Sequence, residues 1–83
     1  MRNRKPQPEK TTIGGMECLG RRLAAEYIHM SLSTLDKVLR LTRIKKAKVP
    51  IKYIQYTRTA PIWFPVEWLD SFVLDVMKNG GAF

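Results

Sequence analysis

From Arg21 onward the apolar residues Leu23, Ala24, Tyr27 and Ile28 recur at helical spacing, with Arg21, Arg22, Ala25 and Glu26 across from them. That pattern predicts a short amphipathic helix. His29, Met30 and Ser31 interrupt it, and Ser31 suits an N-cap whose hydroxyl accepts a backbone N–H of the next turn. A second helix is expected to open there, with Leu35, Val38, Leu39 and Thr42 on one face and Ser33, Asp36, Lys37 and Arg40 on the other. The period then changes: Ile51 to Tyr56 alternates as a strand does, and Ile62, Trp63 and Phe64 are placed to pair back across Thr57–Pro61 as a β-hairpin. Pro65 fits the first turn of a third helix, which Asn79, Gly80 and Gly81 should stop. Val66, Trp68, Leu69, Phe72, Val73, Val76 and Met77 form its broad apolar side, opposite Glu67, Asp70, Ser71, Asp75 and Lys78, with Leu74 stranded among the polar residues. The expected class is mainly α with a small β-hairpin, and the tight junction of the first two helices suggests a helix-turn-helix.

The segment before these elements has a different character. Residues 1–15 carry Arg2, Arg4, Lys5 and Lys10 among Pro6, Pro8, Gly14 and Gly15, and only Ile13 offers itself to a core. Burial there does not offset the cost of ordering the chain, so residues 1–18 are expected to be a flexible basic arm, 19–79 the folded domain and 80–83 a flexible tail. The arm either follows phosphates or serves as a solubility tail.

Length and composition narrow the function. At 83 residues the chain holds one domain at most, and a chain of this size buries only about 60% of its unfolded surface, which argues against a deep catalytic cavity and hence against an enzyme. No roughly 18-residue apolar run suggests a membrane span, and no apolar stretch follows the basic start as a secretory signal requires, so a soluble, cytoplasmic protein is expected. Cys18 is the only cysteine, which excludes an internal disulfide. With His29 it supplies at most two of the four ligands that a zinc site needs, so no metal and no cofactor are expected. Cys18 itself is read as a small apolar residue near the domain edge, and His29 as a structural residue of the inter-helix turn with no catalytic partner.

Charge points to a partner. Fifteen Lys and Arg stand against seven Asp and Glu, a formal charge of +8. Lys37, Arg40, Arg43, Lys45, Lys46, Lys48, Lys52 and Arg58 follow one another with no acidic residue before Val66, whereas Thr59–Phe83 holds one basic residue, Lys78, against Glu67, Asp70 and Asp75. Such asymmetry concentrates polyanions at one side of a molecule, so nucleic acid is the expected partner.

The order Ala24-Ala25-Glu26-Tyr27-Ile28, Ser31-Leu32-Ser33-Thr34-Leu35, Trp63-Phe64-Pro65 and Glu67-Trp68-Leu69-Asp70-Ser71-Phe72 resembles the excisionase and AlpA-like DNA-binding proteins, whose small winged helix-turn-helix is similar to that of MerR regulators. The resemblance spans about Leu19 to Phe72. It implies that the second helix enters the major groove and the wing the adjacent minor groove. On that basis Ser33, Thr34 and Lys37 are base-edge candidates, and Arg40, Arg43, Lys45, Lys46 and Lys48 phosphate candidates. Tyr56, Thr57, Arg58 and Thr59 form the wing, with Arg58 either probing the minor groove or lying in a solvated turn. Asp36 replaces an aromatic or basic residue; it either accepts from cytosine or holds Arg40 one turn away. Family members carry a glycine soon after the second helix and another in the wing, where this chain has Arg43–Lys48 and Thr57–Ala60.

The resemblance implies a recombination directionality factor: a non-enzymatic protein that binds and bends double-stranded DNA beside an attachment site, alongside an integrase and further copies of itself, to favour excision of a mobile element. Leu74 and the termini are the candidates for protein contact. A transcriptional regulator of a phage or mobile-element promoter is the alternative on the same scaffold. A basic adaptor stacking RNA bases on Tyr53, Tyr56 and Trp63, or binding a protein, is a third reading.

Overall fold

The computed structural model describes residues 9–81. In chain order these are β1 (Lys10–Ile13), β2 (Met16–Leu19), α1 (Arg21–Tyr27), α2 (Leu32–Arg43), β3 (Phe64–Pro65) and α3 (Val66–Lys78). Three helices and a three-stranded antiparallel sheet of order β1-β2-β3 make a mixed α/β domain. No helix among the described residues is long and apolar enough to cross a membrane.

The sheet begins where a flexible arm was expected, and that expectation is corrected for residues 10–18. Lys10 to Ile13 pair with Leu19 to Met16 around Gly14 and Gly15, whose φ angles of 59° and 81° are the positive pair that a tight two-residue hairpin loop requires. Main-chain pairing thus replaces the apolar burial that Thr11 and Thr12 cannot supply. The hairpin is also tied at its open end, where the Gly20 N–H donates to the Glu9 carbonyl at 2.8 Å. Residues 1–8 of the expected arm and 82–83 of the expected tail lie outside the described residues.

The second expected hairpin is reduced. Ile54 and Trp63 exchange backbone hydrogen bonds of 2.8 and 2.9 Å, but this is an isolated bridge. Pro50 and Pro61 have no N–H to give to a ladder. Phe64 and Pro65 turn away to pair with Leu19 and Cys18 of β2, so the returning strand belongs to the other sheet edge. Val49 and Ile51 meanwhile point into the core.

That core gathers Leu19, Ala24, Ala25, Leu35, Val38, Leu39, Val49, Ile51, Phe64, Leu69 and Phe72. Ala25, expected on the polar side of α1, is buried, because this short helix packs on both α2 and β2. Tyr27, expected inside, is 44% exposed and donates its hydroxyl to Asp70 Oδ1 of α3 at 2.8 Å. Met77, expected on the core side, is 68% exposed, since it lies in the last turn of α3, beyond Leu69 and Phe72, the helix's buried positions. Leu74 is exposed as expected. Cys18 lies in the central strand, wholly buried, and not at a domain edge; desolvation pushes its thiol pKa up.

All three helices end alike. The residue two past the last helical one is left-handed in each case: His29 (φ 56°), Lys45 (φ 60°) and Gly80 (φ 72°). Their N–H groups bond to Glu26, Thr42 and Met77 carbonyls, and the next residues' N–H groups to Ala25, Leu41 and Val76. This is the Schellman arrangement, which satisfies the orphan carbonyls of a helix end. His29 therefore has a structural part in turning the chain from α1 to α2. Lys45 holds the backbone position that glycine favours, at a cost of roughly 1–2 kcal/mol.

Candidate nucleic-acid interface

α2 starts on a cluster of hydroxyls. Ser31 Oγ accepts from the Thr34 N–H at 3.2 Å, as the N-cap reading expects, and donates to Thr34 Oγ1 at 2.7 Å; Ser33 Oγ lies 3.3 Å from it. The capping bonds hold the first turn rigid and leave Ser33 exposed on it. Leu35, Val38 and Leu39 turn inward, and Thr42 Oγ1 accepts from the Ile51 N–H at 3.1 Å, docking the following segment onto the helix. The outward face then carries Ser33, Lys37 and Arg40 at successive turns.

Asp36 does not hold Arg40. It pairs with Arg21 Nη1 of α1 at 3.3 Å, with both side chains roughly half exposed. An exposed pair of this kind contributes at most about 1 kcal/mol. Its larger consequence is electrostatic, because the one carboxylate on the α2 surface is neutralised by a neighbouring helix while Lys37 and Arg40 stay uncompensated. Among the described residues the side chains of Lys37, Arg40, Lys45, Lys46, Lys48 and Arg58 are exposed and make no ion pair or hydrogen bond.

Arg43 is different. Its Nη2 donates to Gln55 Oε1 at 3.1 Å, and its guanidinium carbon stands 5.6 Å from the Tyr53 ring centroid. Gln55 in turn donates from Nε2 to the Arg58 carbonyl at 3.2 Å and the Ala60 carbonyl at 2.9 Å. The Ala60 N–H closes the turn on the Thr57 carbonyl at 3.1 Å. A chain of side-chain bonds thus runs from the end of α2 through Gln55 to the loop of Thr57, Arg58 and Thr59, all exposed, with Tyr56 beside them at 71% exposure. Tyr53 faces Phe64 with ring centroids 6.5 Å apart, which anchors this chain to the core.

The structure therefore brings together Arg43, at the end of α2, and the 57–60 loop through Gln55, with no acidic residue between them in the chain. Leu74, by contrast, lines a shallow groove with Tyr27, Ile28, His29, Asp70 and Val73, formed by the end of α1 and by α3. Sequence reasoning missed Gln55, which looked like one more polar position of a strand. Its signal was only its place just before the Thr57–Pro61 turn, whose carbonyls a side-chain amide can reach. Arg21 was missed as well, being separated from Asp36 by the inter-helix turn. The chain matches no family model, no curated protein and no solved structure.

Proposed function

We propose that this protein binds double-stranded DNA as a winged helix-turn-helix, with α2 in the major groove and the 57–60 loop as a wing at the adjacent minor groove. The observation that carries the proposal is the tie between the two elements: Arg43 at the end of α2 and the wing carbonyls of Arg58 and Ala60 meet on one glutamine. A helix and a loop held in fixed relation suit two grooves that are themselves in fixed relation. Ser33, Thr34 and Lys37 then face base edges, Arg40, Lys45, Lys46 and Lys48 face phosphates, and Arg58 enters the minor groove with Tyr56, Thr57 and Thr59 around it. Asp36, paired with Arg21, positions α2 and does not read cytosine.

Within that reading, the resemblance to excisionases supports a recombination directionality factor, which bends DNA beside an attachment site in concert with an integrase and catalyses nothing. The α3 surface with Leu74 is the protein-contact side. Excision by a purified integrase, assayed with and without the protein, tests this role; a protein that binds duplex but leaves excision unchanged overturns it, and a promoter-reporter assay then tests the alternative of transcriptional regulation.

DNA binding itself is tested by titrating affinity against salt. Removing one phosphate contact lowers the slope of log affinity against log salt by about one, on all sequences alike. Lys46→Ala is expected to do so, whereas Lys37→Ala should change which sequences are preferred. Unchanged affinity and slope for Lys46→Ala would remove that residue from the interface.

A further inference from the structure

We propose that Gln55 is a positioning residue that couples the phosphate grip of Arg43 to the aim of the wing. The inference rests on the duplex-binding reading and adds a mechanism to it. Four wing residues, Tyr56 to Thr59, lie exposed in a loop that has only one backbone bridge, Ile54 to Trp63, behind it. Within the loop the main chain adds one turn bond, from the Ala60 N–H to the Thr57 carbonyl. The Gln55 amide ties that turn down, spending both N–H donors on loop carbonyls and offering its oxygen to Arg43.

The chemistry of arginine makes this a coupling. A guanidinium has five N–H donors in a planar fork, and the Gln55 bond uses one on Nη2. Tyr53 lies against the guanidinium, which limits how it can turn. The remaining donors are free to grip a phosphate oxygen of the strand that separates the two grooves. A phosphate there fixes the guanidinium, the guanidinium fixes the Gln55 oxygen, and the amide is then oriented to hold the Arg58 and Ala60 carbonyls. Wing ordering and backbone contact thereby reinforce each other, as linked hydrogen bonds do.

The test is a double-mutant cycle on the full chain with Gln55→Met and Arg43→Met, which keep much of each side chain's apolar length. Gln55→Met should cost about 5-fold to 10-fold in duplex affinity, the scale of one or two hydrogen bonds. Minor-groove protection should vanish at the wing edge while protection at the α2 groove persists. Arg43→Met should lower the salt slope by about one and also weaken wing-edge protection. The double variant should lose less than the product of the two single losses, because both act through one chain of bonds.

In the free protein, Gln55→Met should speed amide exchange at Ala60 and leave the helices unaffected. Arg58→Ala serves as the reference, losing wing-edge protection with exchange at Ala60 unchanged. A wild-type protein indifferent to duplex overturns the reading above together with this inference. If wild type binds but Gln55→Met gives the same footprint and the same exchange, or the cycle is strictly multiplicative, the coupling alone is overturned.

Discussion

Two segments of this chain double back on themselves, and they are held by different kinds of bond. Residues 10–19 form a ladder of four residue pairs around two left-handed glycines, so their order resides in the main chain. Residues 51–64 share one bridge, and their loop is held by side chains, chiefly Gln55. The difference teaches where each can tolerate change. A main-chain ladder accepts nearly any side chain but is strict at its turn; a side-chain latch accepts loop variation but depends on a few polar groups. The first suits a structural edge and the second a loop whose aim is set by its ties to a neighbouring helix.

Phe64 joins the two segments, and its truncation is the most damaging way to test whether they are separable. It is fully buried, pairs with Leu19 of the first segment and faces Tyr53 of the second. Phe64→Ala should cost about 3–5 kcal/mol, a large share of the roughly 5–15 kcal/mol a native domain has. Urea unfolding should shift to far lower midpoints, and amide exchange should accelerate in both segments together. Loss confined to one of them would show that they are not coupled through the core.

The glycine turn gives a smaller and more local effect. Gly15 has a φ of 81° with open space where a Cβ would stand, so a side chain there meets backbone strain and no clash. Gly15→Ala should destabilise by about 1–2 kcal/mol. Exchange should rise in Lys10–Leu19 while Ala60 and the wing remain as they were. If the wing also loosens, the contrast between the two segments fails.

What was legible from the chain follows the same division. Helix faces were read well where one partner layer decides burial: Leu35, Val38, Leu39 and Thr42 of α2 point inward as their spacing says, and Ser31 caps. They were read less well where packing comes from two sides or gives out, as at Ala25 and Met77. The first hairpin was missed because its evidence was conformational, two adjacent glycines directly after the β-branched run Thr11-Thr12-Ile13, whereas apolar content there is low. The second was over-read because alternation from Ile51 to Tyr56 reports which residues are apolar and not which strand they pair with; Phe64 found a better partner in β2. In the candidate interface the cations were visible as a run of charge. Their ties were not, since Arg21–Asp36 and Arg43–Gln55 join residues 15 and 12 positions apart.

The tie between Tyr27 and Asp70 is another side-chain bond, and it has a member that titrates, so it offers a gentle measure of what such ties contribute. The hydrogen bond to the Asp70 carboxylate, followed by partial desolvation and the nearby negative charges of Asp70 and Glu17, holds the Tyr27 phenol pKa above its ordinary value. The folded state therefore binds this proton more tightly than the unfolded chain does. Its stabilising effect is complete at neutral pH, where the phenol is protonated in both states, and is lost as pH rises through the range where the unfolded and then the folded phenol ionise. Tyr27→Phe removes the donor, so it should unfold slightly more easily than wild type at neutral pH. The gap should close in alkaline buffer, as chemical-denaturation midpoints measured from neutral to alkaline pH will show. A gap that stays constant over that range would mean that the bond from the phenol to Asp70 is not what separates the two proteins, and that this side-chain tie, unlike the main-chain ladder, contributes nothing to stability.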